Sequence, residues 1–113
     1  MGQLEAINHQ LGQLEEEQHR VATAHRRNEN TRTALEEHHF QRSRLFQELK
    51  ETFQTGEISV SLDELDFEAR RYHQQLEGEL LESEQELKKK KRTLEAQEEE
   101  LYRKRRKLTE ETQ

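Results

Sequence analysis

The sequence predicts an all-α fold, a long antiparallel two-helix coiled-coil hairpin, on three observations. The composition suits helices and little else: of 113 residues none is Pro, 39% are charged and only 28% are hydrophobic. One breaker zone, Thr55-Gly56-Glu57-Ile58-Ser59-Val60-Ser61, interrupts the chain near its middle. On both sides of it apolar residues recur at steps of three and four, the spacing of a coiled-coil seam. So little apolar material cannot build a layered core, which excludes Rossmann and barrel enzymes. A disordered acidic chain would share the composition, but not the periodicity.

The first helix is expected over residues 3–54. Its seam reads Leu4, Ile7, Leu11, Leu14, Gln18, Val21, His25, Asn28, Arg32, Leu35, His39, Arg42, Phe46, Leu49 and Phe53. The stretch from Gln18 to Arg32 puts polar residues where leucine is usual, so the seam is expected to be weakest there. A loop over 55–61 follows. Gly56 can take positive φ and close the first helix as the residue just past its end. Ser61 and Glu64 have the spacing of a capping box, and Val60 and Leu65 that of a hydrophobic staple. Together they predict a second helix over 62–111.

The second seam begins Leu62, Leu65, Ala69, Tyr72, Leu76, Leu80, and then a leucine falls every seventh residue at Leu87, Leu94, Leu101 and Leu108. Ala69 to Leu80 spans an eleven-residue step, expected to relax the left-handed supercoil. Folding the chain about Gly56 sets Leu35 against Leu80, Val21 against Leu94, Leu14 against Leu101 and Ile7 against Leu108. Opposed leucine ladders joined by a short linker favour one antiparallel hairpin over a continuous rod.

The same residues bound the chemistry. Without Cys there is neither a disulfide nor a thiolate metal site. No apolar run is long enough for a membrane span, so direct membrane insertion is not expected. The net charge of −6 argues against nucleic acid as a partner. There is no phosphate loop, nucleophile elbow or HExxH, so the sequence offers no catalytic residue, no cofactor site and no enzyme. None of the six histidines lies three or four residues from another, so no metal site is expected. His39 and His73 approach across the hairpin and supply at most two ligands. Two basic blocks, Lys88–Arg92 and Arg103-Lys104-Arg105-Arg106-Lys107, alternate with acidic ones, as on a solvated, salt-laced helix. Phe40 and Phe67 lie off the seam, and Phe67 joins Phe53, Ile58 and Val60 near the loop as the best docking candidates.

After the loop, Leu62-Asp63-Glu64-Leu65-Asp66-Phe67-Glu68-Ala69-Arg70-Arg71-Tyr72-His73-Gln74-Gln75-Leu76 resembles flagellar members of the FliJ/YscO family of type III secretion proteins. The Ala69/His73 spacing, the Gln-Gln-Leu run and the loop-proximal aromatic carry the resemblance, and the hairpin architecture extends it along the chain. The resemblance implies a cytoplasmic bacterial protein acting as a central stalk of the secretion ATPase hexamer. It also implies contacts with the export gate protein and with export chaperones. By position, the gate-facing surface would be Phe46, Leu49, Phe53, Leu65, Ala69, Tyr72 and His73, while Leu11, Leu101 and Arg103–Lys107 would enter the ring. A monomer is expected. The alternative is a structural coiled-coil scaffold or dimerisation protein unrelated to secretion.

Overall fold

The computed structural model describes residues 2–111. They form two helices, α1 (Gly2–Thr52) and α2 (Glu57–Glu111), paired as an antiparallel hairpin. No strand occurs among the described residues.

The turn is shorter than the sequence predicts, and the second helix starts earlier. It begins at Glu57 rather than at residue 62, so the expected capping box at Ser61 lies inside the helix. The expected staple is not formed either, since Val60 and Leu65 are both exposed. Gly56 does have positive φ, at 91°, but its role differs from the expected one. Its carbonyl accepts the Val60 N–H at 3.3 Å, the first turn of α2, so Gly56 caps the start of α2. The Phe53 N–H donates to the Leu49 carbonyl at 2.8 Å and completes α1. Two side chains tie the turn: Gln54 Nε2 donates to the Glu51 carbonyl at 3.2 Å, and Ser59 Oγ to the Gln54 carbonyl at 3.4 Å.

The seam of α2 is also rotated from the expected one. Leu65 and Tyr72 are 53% and 69% exposed, whereas Asp66 and His73 are 6% and 8% exposed. Leu62 and Ala69 face inward as expected, and beside them runs a row of Ser59, Asp66, His73, Leu80, Leu87, Leu94, Leu101 and Leu108, each buried or half-buried. These fall every seventh residue, so the heptad is unbroken and the eleven-residue step does not exist. Hydrophobicity misled the reading here: the most apolar stripe beyond the turn is not the one that faces α1.

The packing divides into two units, one from Met1–Arg26 with Glu84–Gln113 and one from Arg27–Ser83. In the first, Ile7, Val21 and Leu94 are buried, with Leu11, Leu14, Leu87, Leu101 and Leu108 half-buried around them. His25 Nδ1 lies 2.8 Å from Glu84 Oε2 in this unit. In the second, Leu62 is buried, and Leu35, Phe46, Leu49, Ala69 and Leu80 are half-buried. There Asn28 Nδ2 donates to Ser83 Oγ at 2.8 Å. The polar stretch expected from Gln18 to Arg32 is therefore bridged at two of its positions, while Arg32 turns outward to Glu36 at 3.6 Å.

Gly56→Ala should lower unfolding free energy by about 1–2 kcal/mol through its positive φ, since an added Cβ there meets nothing within 4 Å. Gly78→Ala, inside α2 and equally unobstructed, should raise it by about 0.5–1 kcal/mol. Urea denaturation followed by circular dichroism measures both, and a neutral Gly56→Ala would contradict the turn geometry.

Candidate functional site

The heptad frame organises the second unit. Counting Ser59, Asp66, His73 and Leu80 as position a of α2, and His39 and Phe46 as position a of α1, places positions e of both helices on one flank and positions g on the other. The two flanks have different chemistry.

The e flank is ionic. Lys50 Nζ lies 2.7 Å from Asp66 Oδ2 and 3.3 Å from Asp63 Oδ1. Arg70 Nε lies 3.3 Å from the other Asp66 oxygen. The Lys50 hydrogen bond, with Arg70 beside it, lowers the Asp66 carboxyl below its ordinary value of 3.8 despite burial. Lys50 is raised above 10.5, chiefly by the same bond. This stabilisation is present above the ordinary carboxylate value and is lost as pH falls through the lowered Asp66 value. At the alkaline end it is lost as pH rises through the raised Lys50 value.

One level further from the turn, His39 and His73 stack, with ring centroids 3.9 Å apart and planes inclined by 16°. His73 Nε2 meets Glu77 Oε1 at 2.9 Å. The Nδ1 atoms of both rings are buried and have no hydrogen-bond partner among the described residues. Burial lowers the His39 value below 6.5, and His73, Arg42 and Arg70 push the same way while Glu77 opposes them. The two histidines meet across the hairpin, as expected, but face to face rather than converging on a point. Among the described residues no three His, Cys, Asp or Glu side chains are placed to hold a metal ion. Arg42 Nη2 donates to the Ala69 carbonyl at 3.2 Å and fixes the neighbouring layer.

The g flank is apolar. Leu45 stands on it from α1, and Ile58, Leu65 and Tyr72 from α2, all exposed. Exposed Leu76 continues the stripe from a neighbouring position. Sequence reasoning took Leu65 and Tyr72 as seam and missed Leu45. The signal for Leu45 was its place seven residues after His38 and seven before Thr52, a row with meaning only once the seam is fixed.

The structure separates the other candidate residues. Phe46, Leu49 and Ala69 are half-buried seam residues, and His73 is buried in the stack, so these do not form an open surface. Phe53 is partly exposed beside the turn, while Phe40 and Phe67 are each 68% exposed. Phe40 and Phe67 occupy position b, on the outer side of the ionic flank, away from the g stripe. In the first unit, Arg103, Lys104, Arg106 and Lys107 are exposed. Arg105 is half-buried, with its guanidinium 4.8 Å from the Tyr102 ring centre and Nη1 donating to Asn8 Oδ1 at 3.4 Å. The basic block is thus four outward cations around one anchored arginine. An open groove in this unit has Leu14, Leu94 and Leu101 in its lining, together with Gln10, Gln97 and Glu100. No helix among the described residues is long and apolar enough to cross a membrane.

The chain belongs to the family described as "Protein of unknown function (DUF3958)", whose model matches residues 2–108. No curated protein and no solved structure matches it.

The stack makes a pH prediction. The folded chain resists protonation at His39, while the unfolded chain accepts a proton near 6.5. Stability should therefore fall as pH drops below 6.5 and level off below the folded-state value. Replacing both rings, by His39→Leu with His73→Leu, should remove part of that slope and raise stability at pH 7 by on the order of 1 kcal/mol, since two unsatisfied buried nitrogens disappear. Thermal melts between pH 5 and 8 test this, and an unchanged slope would refute it.

Proposed function

We propose that this member of the family works without chemistry, as a coiled-coil adaptor that docks another protein against the half of the hairpin next to its turn. The observation that carries this reading is the distribution of exposed large apolar side chains. Among the described residues ten of these twelve lie between Phe40 and Leu81, and only Leu4 and Tyr102 lie elsewhere. On so polar a chain, apolar exposure gathered in one unit is the usual mark of an interaction surface. Catalysis has no comparable support, because the perturbed groups Lys50, Asp66 and His39 each have a structural partner that accounts for them.

The more specific version is a stalk and adaptor for a type III secretion ATPase in the bacterial cytoplasm, contacting the export gate and chaperones. It is supported by the hairpin architecture and by the FliJ/YscO-like stretch after the turn. The family match adds nothing to that link. The four outward cations of the Arg103–Lys107 block suit weak, reversible contacts with an acidic partner surface, because exposed pairs contribute only ~0–1 kcal/mol each.

Reversing Arg103, Lys104, Arg106 and Lys107 to Glu, with Arg105 kept, should leave helicity intact and reduce stimulation of a type III ATPase severalfold. Light scattering should return the monomer mass of 13.7 kDa. A stable dimer that stimulates no ATPase would replace the stalk reading with the scaffold one.

A further inference from the structure

The apolar stripe of α2 is wider than one partner helix can cover. Position d, with buried Leu62 and half-buried Ala69, faces α1. Position g, with Ile58, Leu65 and Tyr72, stands beside it in the open. A helix with apolar residues at a and d has one seam, whereas one that adds g has a second, shared with a further helix. On the same flank, α1 contributes exposed Leu45 at its own position g. In an antiparallel pair g meets g, as e meets e in the Lys50–Asp63 contact on the opposite flank. From Ile58 to Leu76 the stripe runs about five helical turns, ~27 Å at 1.5 Å per residue.

The rim of the groove selects the occupant. At positions c and g of both helices between residues 31 and 82 the charged side chains are Glu48, Glu68, Glu79 and Glu82, and none is Lys or Arg. Glu48 is joined by Arg44 from the next position at 3.5 Å, and the other three line α2. An acidic rim around an apolar floor disfavours an anionic lipid surface. It also disfavours a second copy laid on the same groove, because rim would meet rim.

We propose that the groove between Leu45 of α1 and Ile58, Leu65 and Tyr72 of α2 seats an amphipathic helix of another protein whose apolar stripe is flanked by Lys and Arg. The proposal rests on the adaptor reading and names its docking surface and partner chemistry. The incoming helix completes a three-helix cluster: its apolar residues cover Leu45, Leu65 and Tyr72, and its cations face Glu68, Glu79 and Glu82.

Two synthetic 21-residue peptides test it, with one leucine heptad flanked by Lys in the first and by Glu in the second. Binding to the full chain is read at physiological salt by fluorescence anisotropy, and helix formation by circular dichroism. The Lys-flanked peptide should bind and gain helicity, and the Glu-flanked one should bind at least tenfold more weakly. Leu65→Glu with Tyr72→Glu should weaken the Lys-flanked peptide at least tenfold. These substitutions make the surface more acidic, so simple charge attraction would strengthen binding instead. Phe67→Glu, on the other flank, should leave affinity within twofold. Helicity of each variant verifies folding, which exposed positions should preserve.

Equal binding of the two peptides would overturn the proposal. So would insensitivity to the Leu65/Tyr72 pair, binding to phosphatidylglycerol vesicles through these residues, or a dimer that the pair dissociates. Loss of peptide binding with Phe40→Glu and Phe67→Glu, but not with the Leu65/Tyr72 pair, would overturn this groove and leave the adaptor reading standing. Binding of neither peptide would overturn the helical occupant, while the adaptor reading would still be decided by the ATPase and mass measurements.

Discussion

Asp66 sits in a seam where leucine would be usual, and it stays ionised there because Lys50 reaches it at 2.7 Å and Arg70 at 3.3 Å. A buried carboxylate without such partners would be expelled or neutralised. The bond therefore fixes which residue of α1 stands opposite which residue of α2 just beyond the turn. A turn of residues 53–56 then joins the helices, with Gly56 at positive φ turning the chain into α2. The His39–His73 stack and the Asn28–Ser83 bond continue the same register away from the turn within this unit.

The inward row of α2 keeps one heptad position through this unit: Leu80, His73 and Asp66, seven residues apart, are each buried or half-buried, as in a helix that coils around its partner. The cost is measurable in principle. Leaving a side chain such as Leu65 in water forgoes ~1.5–3 kcal/mol compared with full burial. The ionic and stacked layers satisfy the polar seam, but they do not recover the apolar area left on the g flank.

The two flanks of the turn-proximal unit differ in chemistry. The ionic flank closes on itself through Lys50, Asp63, Asp66, Arg70 and the His73–Glu77 contact. Such contacts satisfy local charges within the hairpin. The apolar flank has no internal partner of that kind. In the first unit position g holds Gln10, Glu17, Ala24, Thr93 and Glu100 and no large apolar residue, so the apolar flank belongs to the turn-proximal unit. The first unit instead displays outward cations around Arg105.

The all-α hairpin was legible from the absence of Pro, the single breaker at Gly56 and leucines spaced by seven, because these features act through local backbone preference and helix periodicity. The same signals located α1 to within a residue or two at each end and identified the polar middle of its seam. They failed where two local rules competed. Ser61 and Glu64 have capping-box spacing, but Gly56 captured the helix start five residues earlier, next to a turn already tied by Gln54 and Ser59. Leu65 and Tyr72 were assigned to the seam on hydrophobicity, and Asp66 and His73 were not. Which stripe faces inward depends on what stands across from it, and Lys50 and His39 come from the other helix. The exposed apolar flank at Leu45 was hidden for the same reason, since a flank exists only after a seam has been chosen by contacts between residues far apart in the chain.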